Sequence, residues 1–412
     1  MRISTQVMFE QSMTSMNRQQ SEYLKIGQQI ASGKKVVRPS DDPQAASRAV
    51  GVAQAKAQTQ QYADARISAR NALSQEESVL NSVTDGISSA KNLLVQAASD
   101  TLSDADRQSI GSELRGIYES LLGQANVTDG NGRYLFGGYK DDAPPFAKNA
   151  AGSATYNGSE HSREQRVDAS RLMPVSDSGK TIFQSVASGN GHVATASRAD
   201  GSEGNLTFKG PNRLDSTQPG YGENTYTLQF TGANEFQVVT TDVNGTSTTG
   251  PTRTFEAGQS IEIGGRAISI TLEGSADIGD KITVRPADHD QANKNLFQTL
   301  ETAIKALETP IEGKPGVQAD FRNAVSTSMR ELDNSLDNVL TVRASVGARL
   351  NELDVVDTVG SNRMLNYEQT LSDLVDLDYS KAISEYSMSQ VGLQASQKAF
   401  MGLKNMSLFD ML

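Results

Sequence analysis

Seven-residue steps run through both ends of the chain and restrict those ends to helices that pack along a seam. Near the C-terminus Tyr379, Tyr386, Leu393 and Phe400 recur every seven residues, with Val375, Ala382 and Leu403 at intervening three- and four-residue steps. Near the N-terminus Phe9, Met16, Tyr23 and Ile30 keep the same period, with Met13, Gln20 and Gly27 between them. Such spacing is the stripe of a coiled coil, and the two stripes are suited to lie against each other. Both are narrow, with Gln20, Gly27, Ser389 and Ser396 at inward positions, and short isolated helices are marginal in water. Either the stripes form only the fraying end of an intramolecular bundle, or the same ends of neighbouring copies complete the packing.

Composition narrows the function classes. At 412 residues the chain has room for two or three domains. Its 49 acidic residues exceed its 38 basic ones, for a formal charge of -11, which disfavours nucleic acid and anionic lipid as partners. Cysteine is absent, so disulfides, thiol catalysis and cysteine metal sites are excluded together. The first twenty residues show no apolar signal core or cleavage site, and no segment reaches the length of a membrane span. The expectation is a soluble chain, or one secreted without a cleaved leader. Aromatic residues at 6% and no tryptophan suit long Ala-, Gln- and Leu-rich helices.

In order, Gly33 and Pro39 end the first helix, and Asp42 before Pro43 is an N-cap signal. No proline then occurs until Pro144, and Leu73, Leu80, Ile87 and Leu94 step by seven. A helix from Pro43 to Ser99 is predicted, roughly 85 Å long. Ser103 with Asp106 forms a capping-box pattern, opening a second helix that runs to about Asn126 on Ile110, Leu114, Ile117 and Leu121 and folds back on the first. Residues 151–290 hold 18 of the 35 glycines and alternate apolar with polar positions, as in Tyr226, Leu228, Phe230 and in Ile268, Ile270, Leu272. Asn244-Gly245 and Gly264-Gly265 are hairpin turns, so mainly local antiparallel pairing is expected. From Phe321 through Leu332, Leu336, Val339, Val346, Leu350 and Leu353 the helical stripe returns, with no proline after Gly316. The predicted class is α+β: a long antiparallel helical coiled-coil rod built from both chain ends, carrying an inserted, mainly antiparallel β domain. Its divisions are 1–42 with 375–412, 43–150 with 288–374, and 151–287.

Catalytic chemistry finds little support. His161, His192 and His289 have no ligand spacing and read as scattered surface histidines. SDSGKT at 176–181 ends like a phosphate loop, but Pro174 occupies the first glycine's position, so it reads as a turn. SGNGHVA at 188–194 has no helix-forming run after it and reads as a loop. No serine sits in a G-x-S-x-G elbow, and the Asp-rich LSDLVDLDY at 371–379 lacks the order of a calcium loop. No catalytic, cofactor or metal residue is assigned, and the chain is not read as an enzyme.

Three stretches together resemble the paired terminal signatures of the bacterial flagellin superfamily: SGKKVVRPSDDP (32–43), RASVGARLNEL (343–353) and DLDYSKAISEYSMSQVGLQASQKAF (376–400). NGRYLFGGYK (131–140), FQSVASGNG (183–191), IGDKITVRPA (278–287) and the final SLFDML are similar to its hook-associated, junction-forming members. The likeness spans both helical arms, and only patches of the β insert. It implies a secreted structural axial protein of the flagellum, forming the hook-filament junction ring on which flagellin assembles. Implied partners are other copies of itself, the adjoining hook-associated protein, flagellin, a cytosolic export chaperone that holds the C-terminal helix, and the flagellar type III export apparatus; neither nucleic acid nor membrane insertion is expected. Axial assembly would rest on Phe9, Met16, Tyr23, Ile30, Tyr379, Tyr386, Leu393, Phe400 and Leu403. The rival readings are flagellin itself, against which NGRYLFGGYK and SGNG argue, and a secreted coiled-coil adhesin or needle-tip-like protein whose β insert binds a host ligand.

Overall fold

A computed structural model describes residues 5–149, 152–184, 191–287 and 295–409, with side chains at 7 and within 10–402 of these. Its contacts divide the chain into a terminal unit, Met1–Arg66 with Asp354–Leu412, and a central unit, Ile67–Leu353. Three helices open the chain: α1 (Thr5–Ser32), α2 (Pro43–Ala97) and α3 (Asp104–Ala125). Gly33, at φ 67°, takes the left-handed conformation that stops α1. Asp42 accepts the Ala45 N–H at 2.9 Å and starts α2. Ser103 and Asp106 form the reciprocal capping box of α3. α2 stops two residues before the expected Ser99, where Ala97 gives way to a polar turn.

In the central unit the heptad positions become a core. Leu73, Leu80, Ile87 and Leu94 of α2 are fully buried, as are Leu114 and Leu121 of α3, each contributing about 1.5–3 kcal/mol. The opposing wall comes from α5 (Leu296–Glu308) and α6 (Pro315–Val375), through Leu300, Leu332, Val339, Val346 and Leu353. Lys91 pairs with Asp333 at 2.5 Å and ties α6 to α2. The NGRYLFGGYK stretch supplies Leu135 and Phe136, both fully buried, and the Phe136 ring meets Phe183 edge-on at 5.7 Å.

Between α3 and α5 come β1 (Phe146–Lys148) with β2 (Ala154–Tyr156), and β3 (Glu164–Asp168) with β4 (Arg171–Pro174), two separate hairpins. α4 (Gly179–Phe183) follows, where the sequence reads only as a turn: Ser178 accepts the Thr181 N–H at 3.3 Å and nucleates a single helical turn. The remaining strands are β5 (His192–Ser197), β6 (Thr207–Arg213), β7 (Thr225–Gly232), β8 (Glu235–Thr241), β9 (Ser247–Thr249), β10 (Arg253–Thr254), β11 (Ser260–Ile263), β12 (Ile268–Glu273) and β13 (Lys281–Pro286). One sheet runs β10-β8-β7-β13-β5 with β9 added on β8; a second runs β11-β12-β6. All these pairings are antiparallel.

The two glycine-bearing turns lie where alternation places them, Asn244-Gly245 between β8 and β9 and Gly264-Gly265 between β11 and β12. Pairing is less local than expected, because β13 sits between β5 and β7 and β12 reaches back to β6. Buried Leu228, Phe230, Ile270, Leu272, Ile282 and Val284 form the sheets' own core. Asn323 of α6 bolts β6 to the helices: its side chain accepts the Phe208 N–H at 3.0 Å and donates to the Leu206 carbonyl at 2.8 Å. His192 is a correction to the surface reading, being buried with its ring 4.8 Å from Tyr221; β5 turns that position inward, against the expectation for an isolated polar residue. His289 and residues 188–190 lie outside the described residues.

α7 (Tyr379–Phe409) closes the chain after a break at 376–378 that interrupts an otherwise helical C-terminal region. Asp378 accepts the Lys381 N–H at 3.1 Å and starts it.

Candidate assembly surface

The terminal unit is built from two helix breaks placed side by side. The Lys35 N–H donates to the Val375 carbonyl at 2.8 Å, the Leu377 N–H to the Gly33 carbonyl at 3.0 Å, and Lys34 bridges Asp376 antiparallel. Lys35 also donates from Nζ to the Asp373 carbonyl at 2.9 Å. Thus SGKKVVRPSDDP and the Asp-rich segment near 376 form one backbone clip, which uses peptide groups that a helix end leaves unpaired. Asp41 lies 3.4 Å from Lys25, and its carboxyl is held below its ordinary value, chiefly by the Arg38 N–H.

Beyond the clip α1 and α7 run antiparallel. The Tyr23 and Tyr386 rings stack at 4.6 Å and their hydroxyls share a 2.5 Å hydrogen bond, which raises the Tyr23 pKa above its usual value, with desolvation adding to it. Ser396 donates to Gln19 at 2.5 Å. Of the residues singled out from sequence, Met16, Tyr23, Ile30, Tyr386, Leu393 and Phe400 are half-buried, whereas Tyr379 is exposed. Phe9 and Leu403 lie on α1 and α7, but their side chains are outside the described ones. The tyrosine pair brings the two stripes together within one chain at Tyr23 and Tyr386.

That seam leaves much apolar surface uncovered. Among the described residues, the terminal unit buries only two apolar side chains, Ala45 and Ala382. Val7, Met13 and Leu24 of α1, with Ile383, Met388, Val391 and Met401 of α7, remain 41% to 75% exposed. Apart from Met13, sequence reading passed over this second set, since a seven-residue search finds one stripe and stops. The available signal was that α7 carries apolar residues on more than one face, the pattern of a helix covered on several sides. A groove of about 620 Å³ in the same unit runs between the start of α2 and the end of α6, lined by Val50, Ala53, Leu371 and Val375 with Lys56 and Glu368 paired at 2.9 Å.

The central unit has features of a different kind. A cleft of about 580 Å³ beside β5 and α6 is lined mainly by alanine, threonine and glycine, with Arg198 and Asp320 paired at 3.4 Å. Buried Glu76 of α2 accepts the Asp177 N–H at 3.0 Å through one carboxyl oxygen; the other has no partner. Arg349 ion-pairs with Asp177 and donates to the Pro174 carbonyl at 3.1 Å. Burial, with the Asp177 charge second, pushes the Glu76 pKa up to about 8. No group of three metal-ligating side chains occurs among the described residues, and none of their helices is long and apolar enough to cross a membrane.

Known proteins agree with the arrangement of helical ends around a β insert. Residues 3–141 match the bacterial flagellin N-terminal helical region. The flagellar hook-associated protein 3 of Salmonella typhimurium is 37% identical over 411 residues, covering 100% of this chain and 99% of that protein. Its Escherichia coli counterpart is 36% identical over the same 411 residues, again covering 100% and 99%. The crystal structure of Xanthomonas campestris FlgL, 26% identical, superposes with a TM-score of 0.67 over 78% of this chain and 99% of that one. With relatives this similar along its whole length, the chain belongs to the flagellar hook-associated protein 3 family.

Proposed function

We propose that this chain is a structural, non-enzymatic subunit of the bacterial flagellum, forming the ring at the junction of hook and filament on which flagellin assembles. The observation that carries the reading is the terminal unit's composition: long helices, only two buried apolar side chains among the described residues, and an apolar second face on α7. Copies of the same unit packed around an axis would cover that face and supply the core that one chain lacks. The adjoining partners are a hook-associated protein on one side and flagellin on the other. Before export, the exposed face of α7 is held by a cytosolic chaperone, and the chain passes the flagellar type III export apparatus unfolded. Within this scheme 1–42 with 375–412 serve axial packing, 43–150 with 288–374 support them, and 151–287 faces outward. Assembly draws on the stripe from Phe9 to Ile30 and from Tyr379 to Leu403, and on the exposed Ile383, Met388 and Val391.

The test is deletion of the gene, electron microscopy of the cells and an assay of flagellin in the medium. The expected result is hooks without filaments and monomeric flagellin outside the cells. Normal filaments would refute the junction role, and bare hooks with no flagellin in the medium would make this chain the filament subunit instead.

A further inference from the structure

The chain's sulfur is unevenly placed. It has eleven methionines and no cysteine, so thioethers are its only sulfur. Only Met173 and Met329 fall in the central unit; every other methionine belongs to the terminal one, which is much the smaller. The same division holds for exposure. Met173 is fully buried and Met329 packs against the central core. Among the described side chains, the three methionines in the exposed large apolar set, Met13, Met388 and Met401, are on α1 or α7. The exposed apolar residues of the central unit, such as Val95, Leu214, Val243 and Ile278, include no methionine.

We infer that Met13, Met388 and Met401 are oxidant-sensitive modification sites whose conversion to sulfoxide blocks the terminal unit's assembly surface. The inference rests on the proposal that this surface packs against neighbouring copies. The co-reactant is a peroxide. A methionine sulfur lone pair attacks one peroxide oxygen, the O–O bond breaks and an S–O bond forms. The sulfur is oxidised by two electrons, and the second oxygen leaves as water carrying the proton released from the transferred hydroxyl. An apolar, flexible contact becomes a polar one, whose burial against a neighbour costs free energy. Modification is confined to the free subunit, because packing that covers the three sulfurs also shields them. An oxidised copy is thereby rejected before insertion, and a ring already formed is protected.

The experiment treats the folded full-length chain with dilute hydrogen peroxide and maps added oxygen by peptide mass spectrometry. Met13, Met388 and Met401 should react about tenfold faster than Met173. The treated chain is then supplied to cells lacking their own copy, and filaments are counted. Oxidised wild type should restore about fivefold fewer filaments than untreated protein, and methionine sulfoxide reductases of both epimer specificities should recover the loss. The triple variant M13L/M388L/M401L keeps the apolar area without the sulfur; whatever filament number it restores untreated, set against wild type, peroxide should not lower it, and the comparison is read as the ratio after to before treatment. Equal restoration by oxidised and untreated wild type overturns the inference, as does a triple variant that peroxide still disables. The underlying assembly reading has its own control in I383D/V391D: full restoration by that variant removes the assembly surface itself. Its failure beside a fully active oxidised wild type removes only the oxidation.

Discussion

Glu76 occupies an inward position between Leu73 and Leu80, three residues from one and four from the other. A carboxyl there was visible in the sequence as a break in the apolar stripe, but its partners were not, since Asp177 and Arg349 lie far along the chain. Its consequence is a pH dependence. The folded chain holds the Glu76 proton up to about pH 8, whereas the ordinary value is 4.5. Between those values the folded state binds a proton that the unfolded state has released, so stability falls as pH rises through the window. Glu76→Gln keeps the carbonyl that accepts the Asp177 N–H and removes the ionisation. Urea denaturation from pH 5 to 8 should show a flatter profile for E76Q and a gain on the order of 2 kcal/mol at pH 8. A variant with the wild-type slope would assign the pH dependence to other groups.

The long helices change character along their length. On α2 the heptad that reads Leu73, Leu80, Ile87, Leu94 continues backwards to Arg66 and Thr59, both buried. On α6 the heptad Leu332, Val339, Val346, Leu353 continues to Gly360. In the terminal unit Arg66 bonds Asp357 at 2.8 Å, and a Cβ on Gly360 would sit 2.5 Å from the Arg66 guanidinium. An apolar seam therefore gives way to a layer of arginine against glycine, a device that sets register at some cost in stability. Gly360→Leu should expel the guanidinium and cost about 1–3 kcal/mol in the terminal unit, read as faster hydrogen exchange in 354–375 with the central unit unchanged. Unaltered exchange would mean that the glycine is not needed for the fit. Sequence periodicity made the helices, their caps and two hairpin turns legible. It could not reveal the Arg66 layer, the burial of His192 or the central place of β13, because each depends on a partner distant in sequence.

At the scale of the whole chain the two units differ in what stabilises them. The central unit has two apolar clusters, one among the helices and the two hairpins and one between the sheets, while among the described residues the terminal unit buries only two apolar side chains, both alanines. Local stability follows buried apolar contact, so amides in 5–35 and 379–409 should exchange far faster in the monomer than those of 73–97 or 332–353. Heating should produce two transitions, the first without loss of the β signal in circular dichroism. One cooperative transition with uniform protection would contradict this division. Because α1 pairs with α7, α1 must wait for α7 during synthesis, and the clip at Lys34 and Asp376 joins segments 342 positions apart. A chain cut short anywhere in the central unit leaves α1 with no helix to stack on, whatever else has folded. Pairing of α1 with α7 therefore requires that the whole stretch between them has already been made.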